Sequence, residues 1–83
     1  MSRREKLLER FLAKPRDFSW RELETLLAGF GYEVRFAGRT GGSRVRFVHP
    51  ENGPISLHKP HRGSLKQYQL EQIRALLEEE GLL

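Results

Sequence analysis

Between Tyr32 and His58 apolar residues return at every second position, whereas on either side of that stretch they return at every third or fourth. Side chains change face at each residue of a strand, while a helix gathers residues three or four apart onto one side, so no single kind of element satisfies both spacings. The chain must join helices to a sheet. In the middle stretch Tyr32, Val34 and Phe36 alternate with Glu33 and Arg35, Val45 and Phe47 with Arg44 and Arg46, and Ile55 and Leu57 with Ser56 and His58. Three short strands are predicted. The connections, GRTGG at 38–42 and HPENGP at 49–54, are rich in turn residues and short enough for hairpins, which makes the sheet an antiparallel meander. One face of it needs an apolar roof. The other presents Arg35, Arg44, Arg46, Ser56 and His58 to water or to an anionic partner.

The roof comes from the flanks. Ser2 and Glu5 have capping-box spacing, and Leu7, Leu8, Phe11 and Leu12 follow at helical intervals until Pro15. Ser19 and Glu22 repeat the box, Phe18 and Leu23 sit as a hydrophobic staple, and Trp20, Leu23, Leu26, Leu27 and Phe30 share one side, with Gly29 and Gly31 at the end. Ser64 with Gln67 opens a last helix carrying Leu70, Ile73, Leu76 and Leu77, stopped at Gly81. The order α-α-β-β-β-α predicts an α+β fold: a three-stranded antiparallel sheet covered on one face by helices, like the α-β-β-β-α core of a double-stranded-RNA-binding domain with an extra N-terminal helix. The 83 residues read as one domain, 1–83, with 1–15 as a helical extension. Glu78, Glu79 and Glu80 fall at the negative end of the last helix, against local preference.

Charge is unevenly spread. Residues 1–34 hold seven Lys or Arg against six acids, 35–66 seven against one, and 67–83 one against four, within a net charge of +4. A basic segment between near-neutral and acidic ones fits a phosphate-binding surface; a merely solvated face is the alternative. The chain has no cysteine, which excludes disulfides and cysteine-based zinc sites and fits a reducing cytoplasm. The charged N-terminus with spaced apolar positions resembles neither a signal peptide nor a membrane span, so no membrane partner and a soluble intracellular protein are expected.

Residues 19–82 resemble the HicA toxin family of prokaryotic toxin-antitoxin systems. The resemblance is carried by the Gly31-Tyr32 step, Gly42-Ser43-Arg44, Phe47-Val48-His49-Pro50, the strand from Ile55 to His58, and Gly63-Ser64-Leu65 before the final helix. It implies a small toxin that binds messenger RNA, blocks or cleaves it, and is neutralised by a HicB-type antitoxin. It also implies a catalytic histidine directly after Gly-Ser on the middle strand. In this chain that position is Arg44.

Metal-independent RNA cleavage needs a base for the 2′-hydroxyl, a group for the charge on the phosphorane and an acid for the leaving oxygen. Arginine stays protonated, so Arg44 can clamp phosphate but cannot serve as the base. His58, on the same strand parity as Arg44 and Arg46, is the candidate base; a plain surface histidine is the alternative. Arg35, Arg39, Ser43, Arg46, Lys59, His61, Arg62 and Lys66 are assigned to RNA contacts. His49, beside Pro50, reads as structural or phosphate-contacting, and GRTGG as a hairpin or a backbone nest for phosphate. His58 and His61 without a partner carboxylate are too few for a metal site, and no cofactor is expected. Trp20, Tyr32, Phe36 and Phe47 fall on the apolar parity, which favours core over base stacking. Three functions remain open: a messenger-RNA endonuclease, a binding module of the same fold that acts by occlusion or only meets an antitoxin, and a protein-interaction adaptor with an acidic partner.

Overall fold

Helices α1 (Arg3–Leu12) and α2 (Trp20–Gly29) are followed by strands β1 (Glu33–Phe36), β2 (Arg44–Val48) and β3 (Ile55–His58) and by helix α3 (Gln67–Glu79). The computed structural model describes residues 3–36, 44–60 and 63–83. The strands form one antiparallel sheet with β2 in the centre, as the two hairpin-length connections predict. Val45 is the cross-strand partner of Phe36 and Leu57, and Phe47 of Val34 and Ile55. Val45, Phe47, Ile55 and Leu57 are buried in one cluster with Leu23 and Leu27 of α2 and Leu70, Ile73 and Leu77 of α3. Each such side chain is worth about 1.5–3 kcal/mol when taken out of water. A one-residue slip of any strand would expose its whole apolar set, so packing holds the register.

Helix α2 begins and ends on local signals. Ser19 is extended, its hydroxyl accepts from the Glu22 N–H at 3.1 Å, and the Glu22 carboxylate accepts from the Ser19 N–H at 3.0 Å. The staple residues Phe18 and Leu23 are both buried. At the other end Gly29 is still helical, and the stop belongs to Gly31. Its φ of +99° lets Gly31 N–H reach the Ala28 carbonyl and Tyr32 N–H the Leu27 carbonyl, each at 3.0 Å, which is a Schellman closure.

Helix α3 starts two residues later than the Ser64–Gln67 spacing predicts, with Lys66 in place of Ser64 as its N-cap. The cause is tertiary. Leu65 is buried, and its N–H donates to the Phe18 carbonyl at 2.9 Å, so the chain before α3 is held as a tie to the start of α2. The helix then runs back along β3. Gln69 in its first turn donates to the His58 carbonyl, and at its far end Glu80 Oε1 lies 3.6 Å from where a Cβ on Gly53 would stand. Burial first, and then the Glu80 charge, raise the Tyr32 phenol above its ordinary pKa. The acidic end of α3 thus lies beside the β2–β3 turn, at the opposite end of β3 from His58.

The predicted extension is part of the core. Phe11 is buried against Phe18, with ring centroids 5.7 Å apart. Arg10 bridges Asp17 at 3.0 Å and Glu22 at 2.7 Å, and Lys14 pairs with Glu71 of α3 at 2.7 Å. Leu12, predicted on the apolar side of α1, is exposed, and Ser2 lies outside the described residues. Among the described residues no helix is long and apolar enough to cross a membrane.

Candidate functional site

Strand parity leaves Arg35, Arg44, Arg46, Ser56 and His58 exposed while their chain neighbours Val45, Phe47, Ile55 and Leu57 point into the core. Register then arranges the exposed set in two rows. Arg35, Arg46 and Ser56 are successive cross-strand partners over all three strands, and Arg44 is the partner of His58 across β2 and β3. Residues directly opposite in an antiparallel pair have Cβ atoms about 4.5–5.5 Å apart. A guanidinium and an imidazole on such a pair can reach oxygens of one phosphate.

The electrostatics of this face are unfavourable in isolation. Arg35 and Arg46 are like charges in directly opposed positions, an arrangement that destabilises a sheet. Arg35 has a partial remedy in Glu33 at 3.3 Å, but both side chains are well exposed and such a pair is weak. Neither Arg44 nor Arg46 has a carboxylate partner among the described residues. Three guanidinium groups on one open sheet face are relieved by an anion. Arginine meets phosphate through two parallel N–H···O bonds, and imidazole can take or give a proton near neutral pH.

The other assigned residues are placed less closely. The Lys59 ammonium lies 6.0 Å from the centroid of Trp20 at the start of α2. Lys66 is exposed at the N-cap of α3. Arg39, Ser43, His61 and Arg62, the GRTGG loop and the side chain of Phe36 lie outside the described residues. Trp20, Tyr32 and Phe47 are buried and offer no stacking platform. No group of three or more metal-ligating side chains occurs among the described residues. A groove between α1 and α2, lined by Arg4, Leu7, Leu8, Leu26 and Phe30, lies in the helical layer, away from the charged face.

His49 is structural. Its Nδ1 accepts the backbone N–H groups of Glu51 at 3.0 Å and Asn52 at 3.2 Å, so the ring proton sits on Nε2, which donates to the Phe30 carbonyl at 3.0 Å. The ring thereby hooks the β2–β3 turn to the end of α2. It passes so close to Gly31 that a Cβ there would be 2.9 Å from Nε2. The Gly31-Tyr32 and Phe47-Val48-His49-Pro50 signatures are two halves of one joint.

Sequence reasoning misses Gln69. It is buried, its Oε1 accepts from the Lys66 N–H and its Nε2 donates to the His58 carbonyl, each at 3.1 Å. The usual signal for a residue at this place is a serine or threonine N-cap three residues earlier, and here the cap is a lysine.

Compared with known proteins, the chain matches a family model described as the HicA toxin of bacterial toxin-antitoxin over residues 20–82, which spans α2, the whole sheet and α3. No curated protein and no solved structure matches it.

Proposed function

Because the chain belongs to the HicA toxin family, we propose that it is the toxin of a type II toxin-antitoxin pair, gripping messenger RNA on the arginine face of its sheet and cleaving it without a metal. Arg44 holds the non-bridging oxygens of the scissile phosphate. His58 takes the proton of the adjacent 2′-hydroxyl, the 2′-oxygen attacks phosphorus, and the bond to the 5′-oxygen breaks. The products are a 2′,3′-cyclic phosphate and a 5′-hydroxyl whose proton comes from solvent. By the resemblance, the family's catalytic histidine stands where this chain has Arg44. The observation that carries the reading is that the cross-strand partner of Arg44 is itself an exposed histidine. The base has moved one strand across while staying at the same level of the sheet. The partner that restrains such a toxin is a HicB-type antitoxin, and the place of work is the cytoplasm, where messenger RNA is.

Binding without cleavage is the second reading, favoured by the same departure, because arginine clamps but does not abstract protons. Incubating labelled RNA with the purified chain and with His58→Ala and Arg44→Ala separates the two. The first reading expects cleavage by the unmodified chain, a loss of about 10²–10⁴ in rate with retained binding for His58→Ala, and weakened binding for Arg44→Ala. Binding with no cutting by the unmodified chain leaves the occluding module. No binding at low salt removes both readings and leaves an adaptor for an acidic protein.

A further inference from the structure

Gln69 is the buried polar side chain of the described residues, and its two ends do different work. Oε1 accepts from the Lys66 N–H and so closes half a capping box at the start of α3, while Nε2 donates to the carbonyl of His58, the last residue of β3. The amide has one sensible orientation, since a backbone N–H must meet the oxygen and a carbonyl must meet the NH2. For capping alone a glutamate would serve equally well, and its charge would suit the positive end of the helix. Only an amide can also donate. The second bond is what explains glutamine here, and the two bonds end on His58 and Lys66, both assigned to RNA.

We propose that Gln69 is a positioning residue: by bonding the end of β3 to the start of α3 it fixes the backbone from which His58 and Lys66 project toward RNA. The inference rests on the RNA-binding reading above. Because the Gln69 side chain is itself buried, its amide has few solvent partners to turn to, and the His58 carbonyl is held in one place.

Gln69→Glu separates positioning from capping, because a carboxylate still accepts from Lys66 but, when ionised, repels the His58 carbonyl. Gln72→Glu, at an exposed site on the same helix, matches the change in charge. Affinity for a labelled oligouridylate is measured at a temperature where circular dichroism shows both variants folded. At neutral pH Gln69→Glu should bind about tenfold more weakly than Gln72→Glu, the equivalent of one buried hydrogen bond. The gap should close on acidification, when a neutral carboxylic acid donates as the amide does. Equal affinity of the two folded variants at neutral pH overturns the proposal and leaves Gln69 a helix cap. Should the unmodified chain bind no RNA, the functional reading falls by itself, and the amide spectrum of Gln69→Glu decides the positioning. Changes at His58 and Lys59 support it, and changes confined to α3 overturn it.

Discussion

Replacing Arg46 by glutamine should move fold stability and RNA affinity in opposite directions. Arg46 sits on the central strand, directly opposite Arg35, on the same face as Arg44, and no described carboxylate pairs with it. Glutamine keeps much of the length and removes the charge. Relief of the opposed like charges is of order ~0.5 kcal/mol, which in a domain of this size raises the melting temperature by about 2–4 °C. On a single strand each phosphate contact adds about −0.7 to the slope of log K against log salt, so losing Arg46 should make the slope shallower by about 0.7. Raising salt from about 50 to about 200 mM should therefore weaken the unmodified chain about 2.6-fold more than the variant. Thermal melts followed by circular dichroism and fluorescence anisotropy with a labelled oligouridylate over a salt series measure both effects. A variant that melts lower and keeps the full salt slope would show that Arg46 supports the sheet and faces only water, and the phosphate assignment of this face would fail.

Gly31→Ala combines a strained φ of +99° with a methyl group 2.9 Å from His49 Nε2. It should lower the unfolding free energy by about 2–4 kcal/mol through backbone strain and loss of the His49 hydrogen bonds. A urea midpoint equal to that of the unmodified chain would disprove the joint between α2 and the β2–β3 turn. Acid stability should depend on Glu22. The hydrogen bond from Arg10 first, and then the Ser19 N–H, hold its carboxyl below the usual carboxylate range. A carboxyl depressed in the folded state gives stability that is fully present above its unfolded value, about 4.3, and is lost as pH falls through its folded value. Glu22→Gln should therefore flatten the fall in melting temperature below about pH 4.3. An unchanged acid limb would show that the Arg10–Glu22 contact contributes nothing to the folded state.

Features that depend on near neighbours are legible in the order of the residues alone. The Ser19–Glu22 cap spans one turn, and the stop at Gly31 needs only a residue that tolerates positive φ. The alternation around Val45 and Phe47 sorts side chains by parity, and it puts Arg35, Arg44, Arg46 and His58 on one exposed face. The Ser64–Gln67 cap fails for the opposite reason. Leu65 is claimed by the Phe18 carbonyl, a partner far away in the chain, and that contact outweighs a good local pattern. Likewise, nothing near Gln69 in the sequence announces that its amide will meet His58, and nothing near His49 announces the Phe30 carbonyl.

By itself the sequence determined the kinds of element, their order and which side of each strand is charged, because those follow from bonds and sterics within a few residues. Only the tertiary structure decided that Arg44 stands opposite His58, that α1 shares the core through Phe11, and that the acidic end of α3 lies at the far end of β3. Register and docking are set by the joint fit of all the apolar faces at once, and no short stretch of chain carries that information.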